Sequence, residues 1–60
     1  MIYNGNIQFI DVDTYDAFIY NNENTLVYNI IGSAKDNIDF QLTYTQFICD
    51  QLAIENINWI

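Results

Sequence analysis

Histidine, arginine and proline are absent from this chain, and lysine and cysteine each occur once, at Lys35 and Cys49. Without histidine, and with no cation close to the cysteine in sequence, the usual general bases and activated nucleophiles of enzymes are missing. A single cysteine excludes an intrachain disulfide and is typical of a small core residue in a reducing compartment. The sequence therefore does not predict an enzyme.

Positive charge is scarce throughout the sequence. Eight carboxylates and one lysine give a net charge of −7 and an isoelectric point near 4.1. Binding to nucleic-acid phosphates or to anionic membrane surfaces requires Lys and Arg. In addition, no apolar run approaches the roughly 20 residues that are needed to cross a bilayer. We therefore expect no nucleic-acid ligand, no membrane contact and a cytosolic location. The charge favours a strongly basic protein partner, or imitation of a polyanion.

The length of the chain limits its core. Of its 60 residues, 52% are apolar and 17% aromatic, which is too hydrophobic for an intrinsically disordered chain. A domain of this size buries only about 60% of its unfolded surface and is marginally stable alone. We predict one domain over residues 1–60 that assembles with another chain.

Carboxylates are concentrated in residues 11–16, and closely spaced carboxylates supply the oxygen ligands that calcium takes. A calcium loop of the EF-hand type also needs glycine at its sixth position and glutamate at its twelfth, where this chain has Asp16 and Asn22. The stretch is interpreted as a solvated acidic connection that enters a hairpin. The sequence predicts no metal site and no cofactor.

Two runs rich in β-branched and aromatic residues, 15–20 and 25–31, flank the polar stretch Asn-Asn-Glu-Asn at 21–24. This pattern predicts a β-hairpin, because asparagine tolerates the left-handed conformations that tight turns require. After the second run, Gly32 predicts a turn and Ser33 a helix N-cap.

Two periodicities compete after residue 37. Alternating apolar residues at 38–44 fit a strand, whereas helical spacing fits the longer stretch. We predict a helix over residues 36–53 with a break near Thr43, whose Thr-x-x-Gln spacing can cap a second segment. The apolar helix face comprises Phe40, Tyr44, Phe47, Ile48 and Leu52, with Asp39, Gln46 and Asp50 directed toward water.

The tail alternates Ile57 and Trp59 with asparagines, which predicts an edge or dimer-forming strand. Ile7 and Phe9 show a similar alternation in an extended N-terminal arm. The fold class predicted is α+β: a small antiparallel β-sheet, made of the hairpin and the C-terminal strand, packed with a helix. Exposed sheet edges favour pairing between copies, so a homodimer is expected.

Acidic and aromatic side chains are interleaved along the chain without compensating positive charge, which is unusual for a surface without a binding role. Carboxylates spaced as phosphates are would fit a groove built for DNA, and aromatics are frequent at interface hot spots. The alternative is that the aromatics form an ordinary core and the acids an ordinary wet surface. The candidate partner-binding residues are Asp13, Asp16, Glu23, Tyr28, Asp36, Asp39, Phe40, Gln41 and Tyr44.

Two short motifs, in this order, resemble the small dimeric uracil-DNA glycosylase inhibitors of phages that replicate by protein priming. In that family Asp-Ser-Tyr-Asp precedes a hairpin, as Asp-Thr-Tyr-Asp at 13–16 does here. Asp-Phe-Glu-x-x-Tyr follows the hairpin, as Asp-Phe-Gln-Leu-Thr-Tyr at 39–44 does here. The resemblance covers residues 9–44. Gln41 replaces the glutamate of the family, and the hairpin turn is shorter and rich in asparagine instead of aspartate.

The resemblance implies a homodimer that mimics DNA, blocks the DNA-binding groove of the host uracil-DNA glycosylase in the bacterial cytoplasm, and protects phage DNA. It also implies that Phe40 enters an apolar pocket on the DNA-intercalating loop of the enzyme, with Asp39 beside it and Tyr44 supporting the helix. Such an anchor must be at least partly exposed. Two alternatives stay open: an acidic DNA mimic directed at a nuclease, restriction enzyme or CRISPR effector, and a small structural or assembly protein.

Overall fold

Four strands and one helix make up the chain, which a computed structural model describes over residues 1–60. The elements are β1 (Ile2–Asp11), β2 (Thr14–Tyr20), β3 (Leu26–Ser33), α1 (Asn37–Leu52) and β4 (Asn56–Trp59). The strands form one sheet in the order β3-β2-β1-β4, in which β4 runs parallel to β1 and the other neighbours are antiparallel. The predicted small α+β fold with one helix is confirmed. The prediction of a purely antiparallel sheet is wrong, because the sheet is mixed and has four strands.

The N-terminal segment, predicted as an extended arm, is the longest strand and lies inside the sheet. It enters β2 through a two-residue turn at 12–13, which the pairing of Asp11 with Thr14 closes. Ile10 is left out of the pairing between Phe9 and Asp11, as in a β-bulge. The turn contains neither glycine nor asparagine, so the usual sequence signal of a tight hairpin is missing.

The predicted hairpin of β2 and β3 is confirmed, and asparagines shape its turn. The Asn21 side-chain oxygen accepts hydrogen bonds from the Glu23 N–H at 2.9 Å and the Thr25 N–H at 3.0 Å. Asn24 has a left-handed backbone, with φ of 64°. Asparagine therefore performs both tasks expected of it in turns.

Helix α1 begins after Asp36, whose carboxylate accepts a hydrogen bond from the Asp39 N–H at 2.7 Å. The Asp39 carboxylate in turn accepts a hydrogen bond from the Lys35 N–H at 3.1 Å. The first bond satisfies a backbone donor that the first helical turn leaves unpaired, and the second fixes the residue before the N-cap, in an arrangement similar to a capping box. The helix ends at Ala53 in a left-handed conformation, with φ of 55°.

The predicted helix bounds agree with the structure, since Asp36 and Ala53 are the caps of α1. The predicted N-cap at Ser33 is wrong, because Ser33 is the last residue of β3. The predicted break near Thr43 is also wrong, because α1 is continuous over 16 residues. A Thr-x-x-Gln pattern caps only a helix start, and here the preceding residues already continue the helix.

One face of the sheet packs against α1, and we name it the helix-side face; the opposite, open face has no element over it. The core consists of two clusters on the helix-side face: Tyr15, Ala17, Ala34 and Phe40, then Ile19, Ile48, Cys49 and Ile57. Only nine of 60 residues are buried, which is a small core even for a domain of this length.

Two glycines allow aromatic rings to lie directly on the sheet. A Cβ atom at Gly32 would lie 2.5 Å from the Tyr44 ring, and one at Gly5 would lie 2.7 Å from the Trp59 ring. A Cβ atom essentially never lies within 3 Å of a heavy atom to which it is not bonded. A larger residue at either position would therefore displace the ring that lies on it. Gly5 and Gly32 therefore position the aromatic part of the core.

Candidate functional site

Phe40 lies at the centre of an aromatic cluster and has 0% of its surface exposed. Its ring stacks on Tyr44 with centroids 4.4 Å apart and makes edge contacts with Tyr15 at 6.2 Å and Trp59 at 6.5 Å. The expectation that Phe40 is partly exposed and fills a pocket of a partner is therefore wrong for the folded chain. Its ring stabilises the core and offers no surface to another protein.

The most exposed aromatic residue is Phe9, which sequence reasoning placed in the N-terminal arm. Its side chain is 65% exposed, and its ring meets the edge of Tyr15 at 5.6 Å. β4 pairs with β1 only as far as Gly5, so no neighbouring strand shields Phe9 on the outer side. Val12, in the turn that follows, is 84% exposed. The alternation of apolar and acidic residues over 10–13, directly after Phe9, is the sequence signal that could have indicated this surface.

Four carboxylates lie at the end of the sheet where β1 turns into β2 and where β3 leads into α1. A hydrogen bond of 2.8 Å from the Ala34 N–H to the Asp13 carbonyl oxygen joins these two connections. Together with two exposed apolar side chains, the carboxylates form a surface that we name the acidic end. It comprises Phe9, Asp11, Val12, Asp13, Asp36 and Asp39.

The negative charge of the acidic end is only partly offset within the chain. The single salt bridge joins the Met1 ammonium to a Glu55 carboxylate oxygen at 2.9 Å, near the opposite end of the sheet. The only lysine, Lys35, adjoins Asp36 at the acidic end, and its side chain forms no ion pair. Four carboxylates and one ammonium leave this surface acidic, and with its exposed apolar side chains it is complementary to a basic protein surface that contains an apolar pocket.

The predicted partner-binding residues do not form one surface. Asp13, Asp36 and Asp39 come together at the acidic end, whereas Glu23 lies in the β2–β3 turn at the other end. Asp16 lies on the open face, where its carboxylate accepts a hydrogen bond from the Asn29 side chain.

The remaining predicted residues are partly buried. Tyr28 packs against the second core cluster, and the Tyr44 hydroxyl donates to the Ser33 carbonyl oxygen at 3.4 Å. Gln41 is half-buried in α1, and its carbonyl oxygen accepts a hydrogen bond from the Thr45 hydroxyl at 2.6 Å. These residues support the fold and leave the acidic end as the best candidate for contact with a partner.

Cys49 is buried in the second core cluster, as predicted. Burial raises the pKa of its thiol, and the neighbouring Asp50 carboxylate raises that pKa further. Since the thiolate is the reactive form, Cys49 is unsuited to be a nucleophile at neutral pH.

The cavities and clusters of the chain offer no enclosed site for a small molecule. One shallow cavity of about 160 Å³ lies beside the β2–β3 turn, lined by Met1, Tyr3, Asn21, Asn22 and Glu23. Ligand pockets usually measure about 300–1,000 Å³. No three acidic or cysteine side chains converge in a group that could hold a metal ion.

No family model, curated protein or solved structure matches the chain. None of its helical segments combines the length and the apolar character needed to cross a bilayer. Its function is therefore inferred from residue chemistry and geometry.

Proposed function

We propose that this chain inhibits a host uracil-DNA glycosylase by acting as a DNA mimic that blocks the DNA-binding groove, and that it acts as a homodimer in the bacterial cytoplasm. The observation that carries the proposal is the acidic end, where four carboxylates lie at the same end of the sheet as exposed Phe9 and Val12. A groove that binds DNA is basic, and this surface is its electrostatic complement.

The two parts of the acidic end have separable effects on binding. Carboxylates accelerate encounter with a basic groove, and this acceleration decreases as salt is added. Apolar anchors at the centre of an interface slow dissociation, because they are buried away from water in the complex. Phe9 is the aromatic anchor that the acidic end offers.

The choice of glycosylase as the target depends on the resemblance at residues 13–16 and 39–44. Asp13 and Asp39, the first residues of these two motifs, both belong to the acidic end, which supports the choice. Phe40 has no part in the proposal because it is buried.

The homodimer is supported by apolar surface that the single chain leaves uncovered. Twelve large apolar side chains are exposed, while only nine residues are buried. Leu26 and Val27 are adjacent among them in β3, and adjoining exposed apolar side chains favour a contact with another protein. The chain therefore has more apolar surface than the acidic end alone would use.

The experiment that tests the function is excision of uracil from an oligonucleotide by a bacterial uracil-DNA glycosylase, with this protein added in increasing amounts. We expect stoichiometric inhibition and a stable complex in size-exclusion chromatography. Absence of both inhibition and complex would exclude the glycosylase as the target.

A matched pair of charge reversals locates the binding surface. Asp11→Lys with Asp13→Lys changes the acidic end, whereas Glu23→Lys with Asp50→Lys makes the same change in net charge elsewhere. We expect the first pair to abolish inhibition and the second to retain most of it. Equal loss in both would show that net charge alone, and not the acidic end, determines inhibition.

A DNA mimic directed at another DNA-processing or defence protein uses the same surface. In that case the glycosylase assay shows no inhibition. Binding to a nuclease, restriction enzyme or CRISPR effector of the host then depends on the same Asp11 and Asp13 carboxylates. An assembly protein would instead use the exposed apolar side chains and tolerate both charge reversals. The paired variants therefore separate these alternatives.

A further inference from the structure

Strand β3 forms one outer edge of the sheet over its whole length. It pairs with β2 on one side, and no strand lies on its other side. The backbone N–H and C=O groups on that side are therefore free to pair with another extended strand.

The sequence of β3 has no charge or proline to protect this edge, and its one irregularity is Val27, which is left out of the pairing with β2. Natural edge strands are usually blocked by charged residues, proline or short length. β3 has eight residues, Leu-Val-Tyr-Asn-Ile-Ile-Gly-Ser, without charge or proline. β1 and β2 each contain an aspartate, at Asp11 and Asp16, so β3 is the only long strand without a carboxylate. Leu26, Val27 and Ile31 on this uncharged edge are exposed.

We infer that two copies of this chain pair through their β3 strands, antiparallel about a two-fold axis at Asn29, to form one continuous eight-stranded sheet. The occupant of the free edge is thus a second copy. The inference rests on the self-association included in the proposed function, and it does not depend on which protein is the target.

The axis at Asn29 matches chemically similar residues. It places Tyr28 of each copy opposite Ile30 of the other. Val27 comes nearest to Ile31, although Val27 is left out of the pairing with β2 and lies at an irregularity of the strand. Cross-strand pairs of β-branched and aromatic residues stabilise antiparallel sheets. An axis one residue later would place Tyr28 opposite Gly32, which loses this pair.

Charge favours association at this edge. Two copies that each have a net charge of −7 repel one another, so they approach most readily where carboxylates are absent.

The helix adds an apolar side chain on the same flank. Tyr44 lies over Gly32 of β3, whereas Thr45 accepts a hydrogen bond from the Trp59 indole of β4 at 3.0 Å. Phe47 follows Tyr44 by three residues and is therefore on the β3 flank of α1, where it is exposed. In the dimer the two Phe47 side chains cover the helix-side face of the junction between the two β3 strands.

Sedimentation equilibrium of the full chain from micromolar to millimolar concentration tests self-association. We expect a monomer–dimer equilibrium that populates the dimer within this range. A chain that stays monomeric throughout would overturn the inference, while the excision assay would still report separately on inhibition.

Paired lysine substitutions test the location. Val27→Lys with Ile31→Lys brings lysines opposite lysines across the proposed junction, and in the single chain one new ammonium lies next to Asp16, the β2 partner of Ile31. We expect the dimer dissociation constant to rise by about tenfold or more, because like charges directly opposite one another destabilise a strand pair. Ile38→Lys with Leu42→Lys makes the same chemical change at two exposed positions of α1 and should leave dimerisation unchanged. Circular dichroism checks that all variants fold. Equal dimerisation by both pairs would place the interface elsewhere.

A cross-link tests the axis. Asn29→Cys in a Cys49→Ala background places one thiol at the centre of each β3, and disulfides form when the two Cα atoms lie within about 7 Å. We expect a covalent dimer upon mild oxidation. Asn6→Cys in the same background lies two strands away from the edge and should remain monomeric under the same conditions. Cross-linking of both variants at equal rates, or of neither, would overturn the proposed axis.

Discussion

Two phenylalanines show how differently one residue type is used in this chain. Phe40 is completely buried among three other aromatic rings, whereas Phe9 is mostly exposed at the end of the sheet that contains the four carboxylates. Their substitutions should therefore affect different measurements: stability in one case, partner binding in the other.

Phe40→Ala should destabilise the fold severely. Removing a buried phenylalanine costs about 3–5 kcal/mol, and small domains have a total stability near the lower end of about 5–15 kcal/mol. We expect loss of most folded protein, measured by urea denaturation followed by circular dichroism. Near-normal stability of this variant would contradict the burial of the Phe40 ring.

Phe9→Ala should leave the free energy of unfolding nearly unchanged, because the side chain is largely exposed. If Phe9 is the anchor of the acidic end, its loss should weaken binding to the glycosylase by about 2 kcal/mol, mainly through faster dissociation. Surface plasmon resonance measures this rate. Leu42→Ala, at an exposed apolar side chain of α1 outside both the acidic end and the proposed dimer junction, is the control. Unchanged dissociation upon loss of Phe9 would remove the anchor from the proposal.

At the scale of elements, the start of α1 depends on one side chain. Asp36→Ala removes the acceptor of the Asp39 N–H, and loss of an N-cap typically costs about 1 kcal/mol. Asp36→Asn keeps an acceptor oxygen and should retain most of the stability. Thermal unfolding of the three proteins compares them. Equal destabilisation by both substitutions would indicate that charge, and not the hydrogen bond, is what Asp36 contributes.

The elements that could be predicted from the sequence are those with local signals. The turn at 21–24 and the helix over 36–53 depend on asparagine conformation and apolar periodicity, which adjacent residues determine. The position of β1 inside the sheet depends on pairing with β4. The paired residues Tyr3 and Ile57, for example, are more than 50 residues apart along the chain. Such pairing leaves no local pattern.

The same distinction applies to the candidate site. Asp13, Asp36 and Asp39 could be identified from charge alone, because acidic residues are mostly exposed wherever they occur. The environments of Phe9 and Phe40 could not, since a phenylalanine in a strand and one in a helix are equally suited to the core. Phe9 lies beyond Gly5, where the pairing with β4 ends, and this position follows from long-range pairing that the local sequence does not show.

At the scale of the whole molecule, antiparallel pairing of two β3 strands directs the two acidic ends away from each other. The proposed dimer therefore presents two separate target-binding surfaces. We expect one target molecule to bind per protomer, measured as the mass of the complex by analytical ultracentrifugation. A single target per dimer would indicate that both acidic ends contribute to one site, contrary to this geometry.

The acid dependence of stability should include a contribution from Glu55. Its hydrogen bond to the Met1 ammonium lowers the Glu55 pKa, so folding favours the ionised carboxylate. A group whose pKa is lowered by folding contributes stability at pH values above its pKa in the unfolded state. This contribution is lost as the pH falls through its pKa in the folded state. The difference in unfolding free energy between wild type and Glu55→Gln should therefore shrink from about pH 7 to about pH 3. The effect should be small because both groups are exposed.

Urea denaturation across this pH range measures the difference. Glu23→Gln is the control, since Glu23 is an exposed carboxylate that forms no ion pair. A difference for Glu55→Gln that is independent of pH would contradict the role of the Met1 ammonium.

The single tryptophan joins the two sides of the core. The Trp59 indole N–H donates to the Thr45 hydroxyl of α1, while its ring lies on β4 against Phe40. Its fluorescence therefore reports directly whether the helix is docked on the sheet, and separation of the two should shift the emission toward longer wavelengths as water reaches the indole. Five tyrosines in the same small molecule can transfer excitation to this one acceptor. The chain thus contains its own optical probe of folding, without any added label.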